Sequence, residues 1–73
     1  MSASESVGTR IRAVRQARGL SQTQLAVMIG ITEQSVAKIE RGKFRPSAST
    51  LARLAAVLDV ALAELTDENP VAS

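Results

Sequence analysis

A chain of 73 residues has room for one small domain with a thin core. Apolar residues make up 45%, but there is no Trp or Tyr and a single Phe, so that core must come from Leu, Ile, Val and Ala. The lack of Cys and His excludes disulfides and thiolate metal sites and removes the commonest general base, while the net charge of only +2 is unevenly placed.

Residues 1–4 are small and polar and read as a frayed N-terminus. The opening MSASES lacks the apolar stretch of a signal peptide, and no later apolar run approaches a membrane span. The expected location is the cytoplasm. A first helix is predicted from about Glu5 to Arg18, with Val7, Ile11, Val14 and Arg18 on one face. Gly8 is a weak point inside it. Gly19 stops the helix and Leu20 packs back. Ser21 with Gln24 three residues on is a capping-box pattern, opening a second helix from Gln22 to Met28 or Ile29.

Gly30 sits where a helix end needs a left-handed residue. Thr32 then caps a third helix, Glu33 to Arg41, and Gly42 ends it. Glu33 in the first turn suits the positive end of the helix dipole. Leu25 and Ile29 share a face of the second helix, and Ala26 is small where the third must cross. Val36 and Ile39 are expected to point inward with Thr32. GKFRP is a loop closed by Pro46. Ser47 or Ser49 caps a fourth helix, Ala48 to Leu58, whose buried stripe is Leu51, Leu54, Ala55 and Leu58. A short fifth helix, Ala61 to Leu65, adds Leu62 and Leu65. Residues 67–73 read as a loose tail, leaving a domain over residues 5–66.

Charge follows this layout. Arg10, Arg12, Arg15 and Arg18 lie together; Lys38, Arg41, Lys43 and Arg45 follow the third helix; Asp59, Glu64, Asp67 and Glu68 gather near the end. One surface that meets phosphates would give this pattern, and so would ordinary solvated helix faces.

The stretch from Gln22 to Arg41 resembles the helix-turn-helix of the phage-repressor and Cro-like (XRE) family. The matching residues are Gln22, the Leu25-Ala26 pair, Gly30, Val36 and Ile39. The run Ile39-Glu40-Arg41-Gly42 with Pro46-Ser47 and Leu51 extends the likeness over roughly Ile11 to Leu65. The resemblance implies an all-α, five-helix, lambda-repressor-like domain whose second and third helices form the helix-turn-helix. The family usually has Gly near Asp59 and Ser or Thr capping the fifth helix, where this chain has Asp59 and Ala61.

The third helix would then lie in the major groove of double-stranded DNA. Projected at about 100° per residue, Gln34, Lys38 and Arg41 cluster opposite Val36 and Ile39. Ala37 between them leaves room for close approach. Gln can bond adenine bidentately, Lys can donate to guanine, and Glu33 can accept from cytosine. The resemblance puts Glu33, Gln34 and Lys38 on the family's base-reading positions. Phosphate contacts are expected from Gln22, Thr32, Arg41, Lys43, Arg45, Ser47 and Ser49.

Glu40 projects to within about 40° of Val36, on the inward side, so its carboxylate needs a partner. In the family the matching residues, Arg15 and Glu40, form a partly buried ion pair joining the first and third helices. Phe44 has two readings: a cover for the core edge beside the fourth helix, or an apolar dimer contact. Val60 and Leu62 are further candidates for that contact.

The function expected is a stand-alone, sequence-specific transcriptional regulator, a repressor binding a pseudo-palindromic operator as a homodimer in the nucleoid. Activation by touching polymerase is left open. The rival class is a small antitoxin or controller-type regulator whose main partner is a protein, such as a toxin; an operon neighbour encoding one would favour it. A helical interaction module without DNA binding is opposed by Gln34, Lys38 and the basic loop. No catalytic residue, metal site, cofactor or membrane association is expected.

Overall fold

The computed structural model describes residues 3–66, with side chains from residue 7 onward; the expected tail over 67–73 and the start of the chain lie outside them. Among the described residues there are five α-helices and no strand: α1 (Ala3–Ala17), α2 (Gln22–Ile29), α3 (Glu33–Glu40), α4 (Ala48–Leu58) and α5 (Leu62–Leu65). The all-α expectation is met. α1 begins ahead of Glu5, and α3 stops at Glu40 with Arg41 as its C-cap.

The helix starts follow from side-chain oxygens. Ser21 Oγ accepts from the Gln24 backbone N–H at 3.0 Å, and Gln24 Oε1 accepts from the Ser21 N–H at 2.8 Å. This reciprocal pair satisfies two donors that a helix start leaves orphaned. Thr32 Oγ1 accepts from Ser35 N–H at 3.1 Å, and Ser47, not Ser49, caps α4 through Thr50 N–H at 3.2 Å. Thr32 is therefore exposed at the helix start and not inward beside Val36. Ala61 has no oxygen to offer; only the reverse bond exists, from Ala61 N–H to Glu64 Oε2 at 3.1 Å. That weak start leaves α5 four residues long.

Four helices end by one device. Backbone N–H groups of Leu20, Ile31, Lys43 and Val60 reach back to the carbonyls of Arg15, Ala26, Lys38 and Ala55 at 3.1, 3.0, 2.9 and 3.0 Å. Each closure needs the preceding residue left-handed. Gly19, Gly30 and Gly42 supply three of these, at φ 72°, 76° and 76°, and Asp59 supplies the fourth at φ 59°. Leu20, Ile31 and Val60 then fold onto the core, whereas Lys43 stays in solvent.

The core is aliphatic throughout. Val7 and Ile11 of α1, Leu25, Ala26 and Ile29 of α2, and Val36 and Ile39 of α3 meet Leu51, Leu54, Ala55 and Leu58 of α4 and Leu65 of α5. Leu62 does not join them; it is 44% exposed. Arg18 leaves the expected apolar face, and its Nη2 donates to the Asp59 carbonyl at 3.0 Å, tying the end of α1 to the end of α4.

Gly8 is buried, and its lack of a side chain is a packing requirement. A Cβ there would lie 2.2 Å from the Ile39 carbonyl oxygen and 2.7 Å from that of Glu40. α1 thus passes directly over the backbone that closes α3.

Candidate nucleic-acid interface

α3 buries Val36, Ile39 and Glu40 and leaves Glu33, Gln34 and Lys38 exposed, with Arg41 exposed just beyond. The 3.6-residue period that turns the two apolar residues inward turns Gln34, Lys38 and Arg41 outward together. None of these four polar side chains bonds to another group among the described residues. Ala37, half-buried on this side, keeps the surface low between Gln34 and Lys38. α3 therefore offers a row of long donors and acceptors that the fold itself does not use.

Behind this row lies one buried polar cluster. Arg15 Nε donates to Glu40 Oε2 at 2.7 Å and Arg15 Nη2 to Glu40 Oε1 at 3.1 Å, a two-pronged bond between α1 and α3. Arg15 Nη1 donates to the Leu20 carbonyl at 2.8 Å. Both residues are only 8% exposed, and no buried side-chain N or O among the described residues lacks a partner. An ion pair this dry is tolerable because each charge is both paired and hydrogen-bonded.

The helix-turn-helix family HTH_3 matches residues 11–65. The chain belongs to the HTH_3 family. It is similar to the immunity repressor protein of Bacillus phage phi105, 39% identical over 62 residues, which are 85% of this chain and 43% of that protein. Others at 38–46% identity are HTH-type transcriptional regulators of Escherichia coli and Bacillus subtilis. The chain spans less than half the length of these curated relatives. Among solved structures it is similar to the restriction-modification controller protein C.AhdI from Aeromonas hydrophila, with a TM-score of 0.81 and 37% identity over 85% of this chain and 94% of that one. It also superposes on 37% of a HppE chain, with a TM-score of 0.85 and 27% identity.

The remaining polar candidates of this HTH_3 chain differ in their surroundings. Lys43 and Arg45 are exposed in the loop after α3. The hydroxyls of Thr32 and Ser47 are engaged: each accepts a backbone N–H and donates to a second hydroxyl, Thr32 to Ser35 at 2.9 Å and Ser47 to Thr50 at 3.1 Å. Ser49 is exposed in the first turn of α4. Gln22 is half-buried, and its Nε2 donates to Glu40 Oε1 at 3.1 Å.

The sequence alone does not predict that last bond: there Gln22 reads as a phosphate donor and Arg15–Glu40 as a separate pair. Nothing in the spacing of Gln22 and Glu40 signals it; only the crossing of α2 and α3 brings them together. The apolar candidates also divide. Phe44 is 54% exposed and is not among the residues buried in or packed on the core cluster. Val60 is half-buried against the core, leaving Leu62 and Phe44 as the outward apolar residues of that set. Val27 and Met28 of α2 are exposed as well, at 75% and 49%.

Proposed function

We propose that this HTH_3 chain is a sequence-specific DNA-binding transcriptional regulator, a repressor that binds a pseudo-palindromic operator as a homodimer. The observation that carries this reading is the outward row of Gln34, Lys38 and Arg41 on α3, unbonded within the fold and flanked by Lys43. In this reading α3 enters the major groove, and Glu33, Gln34 and Lys38 meet base edges, each good pair giving about 1–3 kcal/mol of discrimination. Arg41, Lys43 and Arg45, with Gln22, Thr32, Ser47 and Ser49 at the helix starts, meet phosphates and set register. Two copies related by a two-fold axis would set their α3 helices about 34 Å apart, one turn of DNA. Phe44 and Leu62 are the apolar residues offered to that contact, with Val60 behind them. Repression follows from occupying promoter DNA. The reading gives the chain no catalytic role and places it in the nucleoid.

The second reading is a controller-type regulator, supported by the 94% coverage of C.AhdI. Selection of binding sites from a random duplex library, with Gln34→Ala and Lys38→Ala in parallel, tests both. An enriched inverted repeat, altered at defined positions by each substitution, is the expected result. An unrepeated half-site would remove the dimer. No enrichment would overturn sequence-specific binding and direct attention to a protein partner such as a toxin.

A further inference from the structure

Arg15 donates three of the four hydrogen bonds in its cluster, two to Glu40 and one to the Leu20 carbonyl; the fourth, from Gln22, reaches the same carboxylate from a third helix. Glu40 Oε1 accepts from both Arg15 Nη2 and Gln22 Nε2, each at 3.1 Å. An ionised carboxylate only accepts, so the amide of Gln22 must turn its nitrogen, and not its oxygen, toward Glu40. One of the two Nε2 hydrogens is used there. The amide is planar, so the other is directed away from the carboxylate, and no group among the described residues takes it. Gln22 is half-buried at the first position of α2, so part of its side chain is open to solvent.

We propose that Glu40 is a positioning residue for DNA binding: its bond to Gln22 sets the carboxamide so that the remaining Nε2 hydrogen donates to a phosphate. The proposal rests on the DNA-binding reading above. A free glutamine side chain would lose its rotamer freedom on binding, whereas this one has lost it on folding. Glu40 is also the last residue of α3. One carboxylate therefore ties a phosphate donor on α2 to the helix that carries Gln34 and Lys38. Arg15 neutralises the carboxylate from α1, which allows an acidic group to stand behind a phosphate contact.

The test uses the full chain and a duplex recovered by the site selection, with a single methylphosphonate moved along one half-site. Wild type is expected to lose about tenfold in affinity at one phosphate that Gln22→Met no longer senses, the scale of a hydrogen bond to a charged group. Arg15→Met/Glu40→Met removes the acceptor without leaving a buried charge. It should lose the same sensitivity at that phosphate while keeping the others, and Arg15→Met/Glu40→Gln, which retains an acceptor oxygen without a buried charge, should restore it. Full sensitivity in the double methionine variant, or an equal loss at every phosphate, would overturn the proposal. So would a bound duplex with no Gln22-dependent phosphate. A library that enriches nothing overturns instead the DNA-binding reading beneath it. Should the double methionine variant not fold, the side-chain amide of Gln22 in the free wild-type chain decides by nitrogen relaxation. An order parameter matching the helix backbone supports the proposal, and a freely moving amide overturns it.

Discussion

Replacing Gly8 by alanine separates two opposite expectations. Glycine inside a helix is unfavourable, and Ala would gain about 0.8–1.0 kcal/mol on propensity alone. The packing says otherwise. A Cβ at Gly8 would lie 2.2 Å from the Ile39 carbonyl oxygen, 2.7 Å from the Glu40 oxygen and 2.9 Å from the Glu40 carbonyl carbon, where ordinary contact begins at 3.4 Å. The shortfall at Ile39 is 3.4 − 2.2 = 1.2 Å. The obstructing atoms are helix backbone and cannot rotate aside, so α1 must lift from α3. Overpacking of this kind costs about 1–3 kcal/mol, and the backbone contact places Gly8 at the upper end. After the propensity gain, Gly8→Ala should destabilise the chain by about 1–2 kcal/mol. In a domain this size each kcal/mol moves the midpoint by about 4–8 °C, so thermal unfolding followed by circular dichroism should show a fall on the order of 10 °C. A rise in Tm would refute the close approach of α1 to α3.

Asp59→Gly should stabilise by about 0.5–1 kcal/mol, read as a higher urea midpoint, because Asp59 holds a left-handed conformation at φ 59° that glycine adopts without steric cost. The Arg18 bond should survive, since it is accepted by the Asp59 backbone carbonyl. Arg15→Met and Glu40→Met should each cost about 3–5 kcal/mol by leaving one buried charge unpaired, and the double substitution should be milder than either. A double variant no better than the worse single would sink that account. Lys43→Ala should lower the slope of log K against log salt by about 1, with base preference unchanged. Gln34→Ala and Lys38→Ala should alter base preference while shifting stability by no more than about 0.5 kcal/mol, since both side chains are exposed and unbonded.

Most of the scaffold was legible because its determinants are local. Ser21, Thr32 and Ser47 cap the helices that follow them, and Gly19, Gly30 and Gly42 close those that precede. The apolar periodicity picked out Leu25, Ile29, Val36, Ile39, Leu51, Leu54 and Leu58, all buried. What escaped depends on where one helix crosses another. Gly8 looked like a weak residue because the carbonyls it meets are about thirty positions away. Gln22 looked like a helix-start donor because its bond to Glu40 spans two helices. Leu62 fits a helical apolar spacing with Leu65, yet α5 is one turn long and buries only Leu65.

The candidate interface is legible for a different reason. Burying Val36 and Ile39 forces positions 34, 38 and 41 outward whatever residues occupy them, so the geometry of the row is a consequence of the core. The residue types are not. Alanine at those three positions would leave the aliphatic core, the caps and the Arg15–Glu40 pair untouched, because none of them contacts Gln34, Lys38 or Arg41 through a hydrogen bond or ion pair. Long polar side chains on such a face contribute nothing to the fold that a shorter one would not. Under the proposed reading their chemistry answers to something outside the chain that presents acceptors, donors and negative charge at the spacing of a helical turn, and the major groove of DNA, lined by phosphates, has those properties.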